Sequence, residues 1–384
     1  MKRDHIDIYM FIDALGWEVL KNRSFLEDEL PYRYPAKMQF GYSCTAIPTI
    51  LTGEPPSVHK HLSFYYYAPD KSPFKIFRYL GLKYLPSVFD RWRVRHNISK
   101  LIKKIYGFTG YFELYAMPFD RLQYFDYIEK KDLFITGGLS PVKNLADVLE
   151  DNNVDYHISN WRLTETENIN KLIEDVEKKS ISFAFLYTAQ MDSLLHIHTK
   201  TGKKIDQKIK WYEKKIRKLL DSVKENYTDY TLHVMSDHGM TTNIGVLDLK
   251  KSIEETNYKF GKDYCAVYDS TMVRLWFFND LAETDIMKIL SETKHGRILT
   301  KEDKIKYKID FKDDMYGKEI FLLDPGWQIE PCDMGLKALP GMHGYAPEDC
   351  DSNASFLSSR EITNPPEWVG DFFNIMIESF KNKQ

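Results

Sequence analysis

Cysteine is scarce in this chain. Cys44, Cys265, Cys332 and Cys350 are its only four in 384 residues, and no two stand at CxxC spacing. That excludes a disulfide framework and a thiolate zinc knuckle, and it fits a reducing compartment. Long apolar runs are missing too: no stretch of 18 apolar residues occurs, so no transmembrane helix is expected. The opening MKRDHIDIYMFIDALG is basic and then apolar, but Asp7 and Asp13 interrupt it and no small-residue cleavage site follows. It reads as a first strand rather than a signal peptide, and the chain as cytoplasmic. A formal net charge of −3 offers no global basic field, so no nucleic-acid polymer is expected as partner. Internal repeats and low-complexity linkers are absent as well.

What is present is ordinary globular composition, 43% hydrophobic and 28% charged, with aromatics at 14%. The length suits one large α/β domain carrying insertions, or two domains. Three apolar runs read as buried parallel strands: IDIYMFID ending at Asp13, ISFAFLYTAQMD ending at Asp192, and YTLHVMSDHGM reaching Asp237 and His238. Helical patterns lie between them, among them PVKNLADVLEDNN and KKIDQKIKWYEKKIRKLLDSVKENY. Strands alternating with helices predict βαβ units and a doubly wound, mostly parallel sheet sandwiched by helices. Ligands of such sheets bind beyond the carboxyl ends of the strands. The reading is a single catalytic domain over 1–384 with two insertions: an aromatic and basic cap at 63–133 and a smaller subdomain at 262–335.

Acidic and imidazole side chains at those strand ends fall into two groups. Asp13, Asp237 and His238 come from two strands. Asp192 and His196 stand at DxxxH spacing, and His343 lies far downstream in GMHGYAPE. Mixed carboxylate and imidazole sets suit zinc or another first-row divalent cation, and three protein ligands leave a position open for substrate. Singly, each has a plainer explanation: a strand-end Asp caps a helix, and a His beside Gly is a turn residue. As a set they point to a metal-dependent site.

The segments FIDALG, SCTAIPTILTGEPPSVH, DSLLH, SDHGM and GMHGY, in this order over residues 11–345, resemble the alkaline phosphatase superfamily, and within it the type I phosphodiesterase/nucleotide pyrophosphatase branch. The resemblance implies two divalent metal ions, zinc or alternatively manganese, one held by Asp13, Asp237 and His238 with Ser43, the other by Asp192, His196 and His343. It also implies the nucleophile, which in this superfamily lies ten residues before the glycine of a TG pair. Counting back from Gly53 gives Ser43, with Thr45 the fallback and a substrate contact, and Cys44 disfavoured. A serine hydroxyl must be activated to attack at neutral pH. The helix expected to begin just after Ser43 would favour an anionic group at its start. Thr45 and Ile47 replace the proline and arginine of the sulfatase pattern, which argues against formylglycine chemistry. The family's usual HG is His59 and Lys60 here. His198 could compete with His196, but the DxxxH spacing favours His196. The phosphoryl-binding arginine and third metal of alkaline phosphatases proper are not found, which weighs against a simple monoesterase.

The expected activity is therefore hydrolysis of a phosphodiester or pyrophosphate bond in a nucleotide- or sugar-linked small molecule through a phosphoseryl intermediate. A monoesterase or phosphotransferase acting on a lipid- or glycan-linked phosphate is the alternative, and a metal-stabilised binding scaffold a further one. In the cap, aromatic side chains could stack on a base or sugar, while Arg91, Arg93, Arg95, Lys103 and Lys104 could meet phosphates. Arg274 in STMVRLWFF is another candidate phosphate contact. A basic, aromatic surface within 83–106 could instead touch an anionic membrane. Oligomeric state is left open.

Overall fold

The computed structural model describes residues 2–79, 89 and 91–381. The chain divides into two compact units: one from 1–59, 134–242 and 347–384, the other from 60–133 and 243–346. The expected cap at 63–133 and subdomain at 262–335 both fall in the second.

The first unit is built on a six-stranded sheet. Its spatial order is Tyr32–Ala36, Ala354–Ser358, Tyr227–Met235, Arg3–Ile12, Phe183–Thr188, Tyr156–Ile158. The last four are mutually parallel, and the first two form an antiparallel edge. The sheet is thus the mostly parallel one expected. Arg3–Ile12 sits in the middle because both its faces are apolar. Ile6, Ile8, Met10 and Ile12 enter one core with the helices Glu165–Glu177 and Lys203–Asn226. On the second helix Ile205, Ile209, Tyr212, Ile216, Leu219 and Val223 recur at spacings of four and three, which makes one buried stripe. The other face carries Tyr9 and Phe183. The Tyr9 hydroxyl donates to the Ile375 carbonyl (3.2 Å) and Phe183 meets Phe380 edge-on, both on the helix Asp371–Lys381. Helices therefore cover both faces.

One expectation changes in detail. The strand in ISFAFLYTAQMD stops at Thr188, so Asp192 belongs to the first turn of the helix Gln190–His198 rather than to a strand end. The strands Tyr32–Ala36, Tyr156–Ile158 and Ala354–Ser358 were not among those read from the sequence.

The second unit holds a four-stranded antiparallel sheet in the order Tyr264–Tyr268, Met272–Phe277, Glu319–Leu323, Gly296–Ile298, and a two-stranded antiparallel pair of Tyr65–Tyr67 with Phe125–Tyr127. One core gathers Tyr65, Phe74, Phe112, Phe125 and Tyr127 with Trp276. Among the described residues no helix is long and apolar enough to cross a membrane.

Candidate active site

Strand register alone brings the first acids together. Phe11 is level with Tyr187 on one side and Met235 on the other. Two residues further on, Asp13 and Asp237 are therefore level where the strands end. The chain turns sharply there, with Ala14 at φ 62°, and the Ala14 N–H donates to Asp237 Oδ1 at 3.1 Å. His238 follows, and the next residue must be glycine. A Cβ on Gly239 would lie 2.1 Å from the Asp351 carbonyl oxygen, inside any tolerable contact. The Gly239 N–H donates to the Ser352 carbonyl at 3.0 Å, which fixes that turn.

His238 and Asp237 are 0% exposed and Asp13 3%. His238 Nδ1 faces the Gly239 carbonyl at 2.9 Å, an acceptor, so this nitrogen carries a proton and the ring turns Nε2 toward the acids. Nε2 stands 3.2 Å from Asp237 Oδ2 and 3.6 Å from Asp13 Oδ1. Burial alone would depress the His238 pKa, but the carboxylates of Asp237, Asp13 and Asp192 outweigh it and raise it to about 10. Burial, then the negative charges of Asp237 and Asp192, push the Asp13 carboxyl well above the usual range. For Asp237 burial also acts upward, but His238 and the Ala14 N–H prevail and hold it below. Tyr187, kept protonated by burial and by Asp13, donates to Asp13 Oδ2 at 2.7 Å.

Asp13 Oδ1 and Asp237 Oδ2 are buried acceptors that take no hydrogen bond among the described residues. Such atoms normally find a donor or a cation. Asp13, Asp192 and His238 also offer ligand atoms that lie within 4.8 Å of one another. Three carboxylates packed around one imidazole, with lone pairs left over, fit a divalent cation. Asp192 and His196 occupy one face of their helix, one turn apart, with Asp192 Oδ1 3.3 Å from His196 Nε2. His198, two residues on, projects from a different side of that helix. His343 belongs to the second unit, directly after Gly341–Met342, and is buried.

Ser43 is the first residue of the helix Ser43–Thr52, and its Oγ lies 3.0 Å from His238 Nε2. It is half-buried, unlike Cys44, whose thiol is packed away. The helix ends at Gly53 with φ 70°, whose N–H donates to the Thr49 carbonyl. The expectation for Thr45 is corrected. It is 0% exposed, and its hydroxyl accepts the Tyr42 N–H at 3.3 Å, so it closes the start of the helix instead of meeting substrate. His59 has a comparable part, with Nε2 2.9 Å from Thr49 Oγ1, while Lys60 adopts φ 70° where the family has glycine.

Arg274 is corrected too. It is fully buried in the second unit, paired with Asp269 (Nε–Oδ2 2.7 Å) and donating to Ser63 Oγ and the Tyr65 carbonyl, so no phosphate reaches it. Arg95 is likewise committed, donating to the Tyr115 and Met117 carbonyls beneath the helix Trp92–Tyr106. Arg91, Arg93 and Lys104 are exposed. Of the surface expected within 83–106, residues 83–88 and 90 lie outside the described residues. Sequence reasoning missed Tyr187, because the tyrosine in FAFLYT reads as one more strand aromatic.

A model of the type I phosphodiesterase / nucleotide pyrophosphatase family matches residues 12–346. No curated protein matches the chain. Among solved structures, human ectonucleotide pyrophosphatase/phosphodiesterase 5 is similar at a TM-score of 0.68 and 14% identity, over 99% of this chain and 95% of that one. The murine protein of the same name gives 0.67 at 14%, with the same coverage. An inactive variant of the murine protein, solved in complex with AMP, gives 0.65 at 14%, over 98% and 95%. At that identity the likeness speaks for the fold, which is alkaline phosphatase-like.

Proposed function

The chain belongs to the type I phosphodiesterase/nucleotide pyrophosphatase family, a class of phosphoric ester hydrolases, and from that premise we propose that it cleaves phosphodiester or pyrophosphate bonds of a small nucleotide-like substrate with Ser43 as nucleophile. The observation that carries this reading is the position of Ser43 Oγ, 3.0 Å from His238 Nε2 at the rim of the buried Asp13–Asp237–His238 cluster. A hydroxyl on the first turn of a helix, beside a cation-seeking set of acids, is placed for attack on phosphorus. The AMP bound to the murine relative supports a nucleotide-like substrate.

Asp13, Asp237 and His238 would hold one divalent cation beside Ser43, and Asp192 and His196 a second, to which the sequence resemblance adds His343. Zinc suits this mixed donor set, with manganese the alternative. Bound there, the cations supply charge that lowers the pKa of the Ser43 hydroxyl and neutralises the phosphoryl and leaving oxygens. The residues of the chain do the rest by position. The Ser43 hydroxyl loses its proton to solvent and its Oγ forms a bond to phosphorus as the bond to the leaving oxygen breaks in line; the leaving oxygen takes up a proton, and the phosphoseryl intermediate keeps the substrate's other substituent on phosphorus. Water then attacks phosphorus from the vacated side and releases Ser43. The helix N-terminus faces the anionic group throughout. Tyr187, by donating to Asp13 Oδ2, keeps the other oxygen of that carboxylate turned to His238.

Ser43→Ala is the test. Turnover of bis-p-nitrophenyl phosphate is expected to fall by about a thousandfold or more, with metal content unchanged by elemental analysis. Wild-type-like turnover by the variant would rule Ser43 out. A wild-type preference for p-nitrophenyl phosphate over the diester would favour a monoesterase.

A further inference from the structure

The helix Trp92–Tyr106 reads WRVRHNISKLIKKIY and contains no acidic residue. Its side chains form three parallel rows, each spaced by fours and threes along the helix. Arg95, Ser99 and Ile102 make the buried row. Next to it run Val94, Ile98, Leu101 and Ile105, an apolar row that leaves the core as it goes. Ile98 still leans on the core of the second unit, while Leu101 is 57% and Ile105 67% exposed. Beyond that lie Arg93, Asn97, Lys100 and Lys104, of which Arg93, Lys100 and Lys104 are exposed cations. Trp92 at the helix start is 69% exposed and stacks on His96, with ring centroids 5.0 Å apart.

Among the described residues, the carboxylate of Glu113 meets this helix. It pairs with His96 Nδ1 at 2.8 Å and Ser99 Oγ at 2.6 Å on the buried side, so it does not neutralise the basic row. An exposed apolar row flanked by unmixed positive charge, with an exposed tryptophan at one end, is the pattern of a helix that lies in a lipid interface. A neutral protein partner would take the apolar row but leave the cations unanswered, whereas an anionic bilayer answers both. We propose that the helix Trp92–Tyr106 docks this protein on the surface of an anionic lipid bilayer, with Leu101 and Ile105 entering the headgroup boundary and Arg93, Lys100 and Lys104 meeting lipid phosphates. The proposal is independent of the assignment of Ser43.

Co-sedimentation of the full chain with phosphatidylcholine vesicles, with and without about one-third phosphatidylserine, tests it. Binding is expected on the anionic vesicles only, and should weaken as salt is raised. K100E/K104E removes two surface cations and reverses them; at about fivefold per cation lost, affinity should fall about twentyfold or more. L101E/I105E should abolish binding. Both pairs change exposed positions, so thermal melts and bis-p-nitrophenyl phosphate turnover should match wild type. No binding to anionic vesicles, or binding that neither pair alters, would overturn the proposal. So would a concentration-dependent dimer in light scattering that L101E/I105E dissolves, since the face would then belong to a second copy.

Discussion

A fully buried guanidinium must find its hydrogen bonds inside the protein. Arg274 does so through Asp269, Ser63 and the Tyr65 carbonyl, which ties a strand of the four-stranded sheet to the strand Tyr65–Tyr67. Removing it leaves Asp269 buried without its countercharge. Burial already pushes the Asp269 carboxyl upward, and Arg274 is what opposes that. Arg274→Ala is therefore expected to cost about 3–5 kcal/mol of stability in urea unfolding, while the folded variant keeps the wild-type KM for a soluble diester. A KM raised tenfold with unchanged stability would restore Arg274 as a substrate contact. An arginine in an apolar strand is ambiguous in sequence, because burial and ligand contact both require it. The residue that resolves it, Asp269, was in plain view five positions earlier. At the active site the reverse held for Asp13, Asp237 and His238. Each follows an apolar run too long to be solvated, so strand ends could be marked from composition alone. Tyr187 could not, since its role depends on which neighbour the strand acquires.

At the level of elements, the site is a consequence of parallel pairing. Parallel strands put their carboxyl ends on one edge, and the common register of Phe11 with Met235 sets Asp13 against Asp237. The turn that follows tolerates no side chain at Gly239. Gly239→Ala should displace the turn that carries Asp237 and His238, and elemental analysis of the purified variant should show metal content well below wild type. Turnover should be reduced on the order of a hundredfold, with the far-ultraviolet circular dichroism unchanged. Full metal content and activity in that variant would show that the turn has slack the packing denies. The central strands were legible because they are continuous apolar runs. The outer ones were not. Tyr32–Ala36 contains Pro35, which only an edge strand accepts, and Tyr156–Ile158 is three half-buried residues long. A helix is expected just after Ser43 and Ser43–Thr52 is one, but the part of Thr45 in closing its start is not legible in the sequence. That depends on the Tyr42 N–H, which a residue pattern does not show.

For the molecule as a whole, the sequence showed the alternation of central strands with helices but not how the segments are partitioned. Each compact unit is assembled from separated segments. Apolar periodicity says that a segment has a face to bury, not which other face will cover it. The first unit nonetheless concentrates three carboxylates, Asp13, Asp192 and Asp237, around the buried His238. Like charges so placed raise the free energy of the folded state unless a cation joins them. A ligand that binds only the folded chain stabilises it in proportion to the logarithm of its excess over the dissociation constant, about 4 kcal/mol at a thousandfold excess. For a unit of about 200 residues that is a rise in melting temperature on the order of 10 °C. Dialysis against a chelator should therefore abolish turnover and lower the midpoint of thermal unfolding by about that much. Zinc or manganese added back should restore both, and the ion that does so at the lower concentration is the better fit to the site. A melt unmoved by the chelator, in protein shown by elemental analysis to have contained no stoichiometric metal, would mean that the acids are held by proton sharing with His238 alone. The hydrolysis would then need an activator for Ser43 other than a cation.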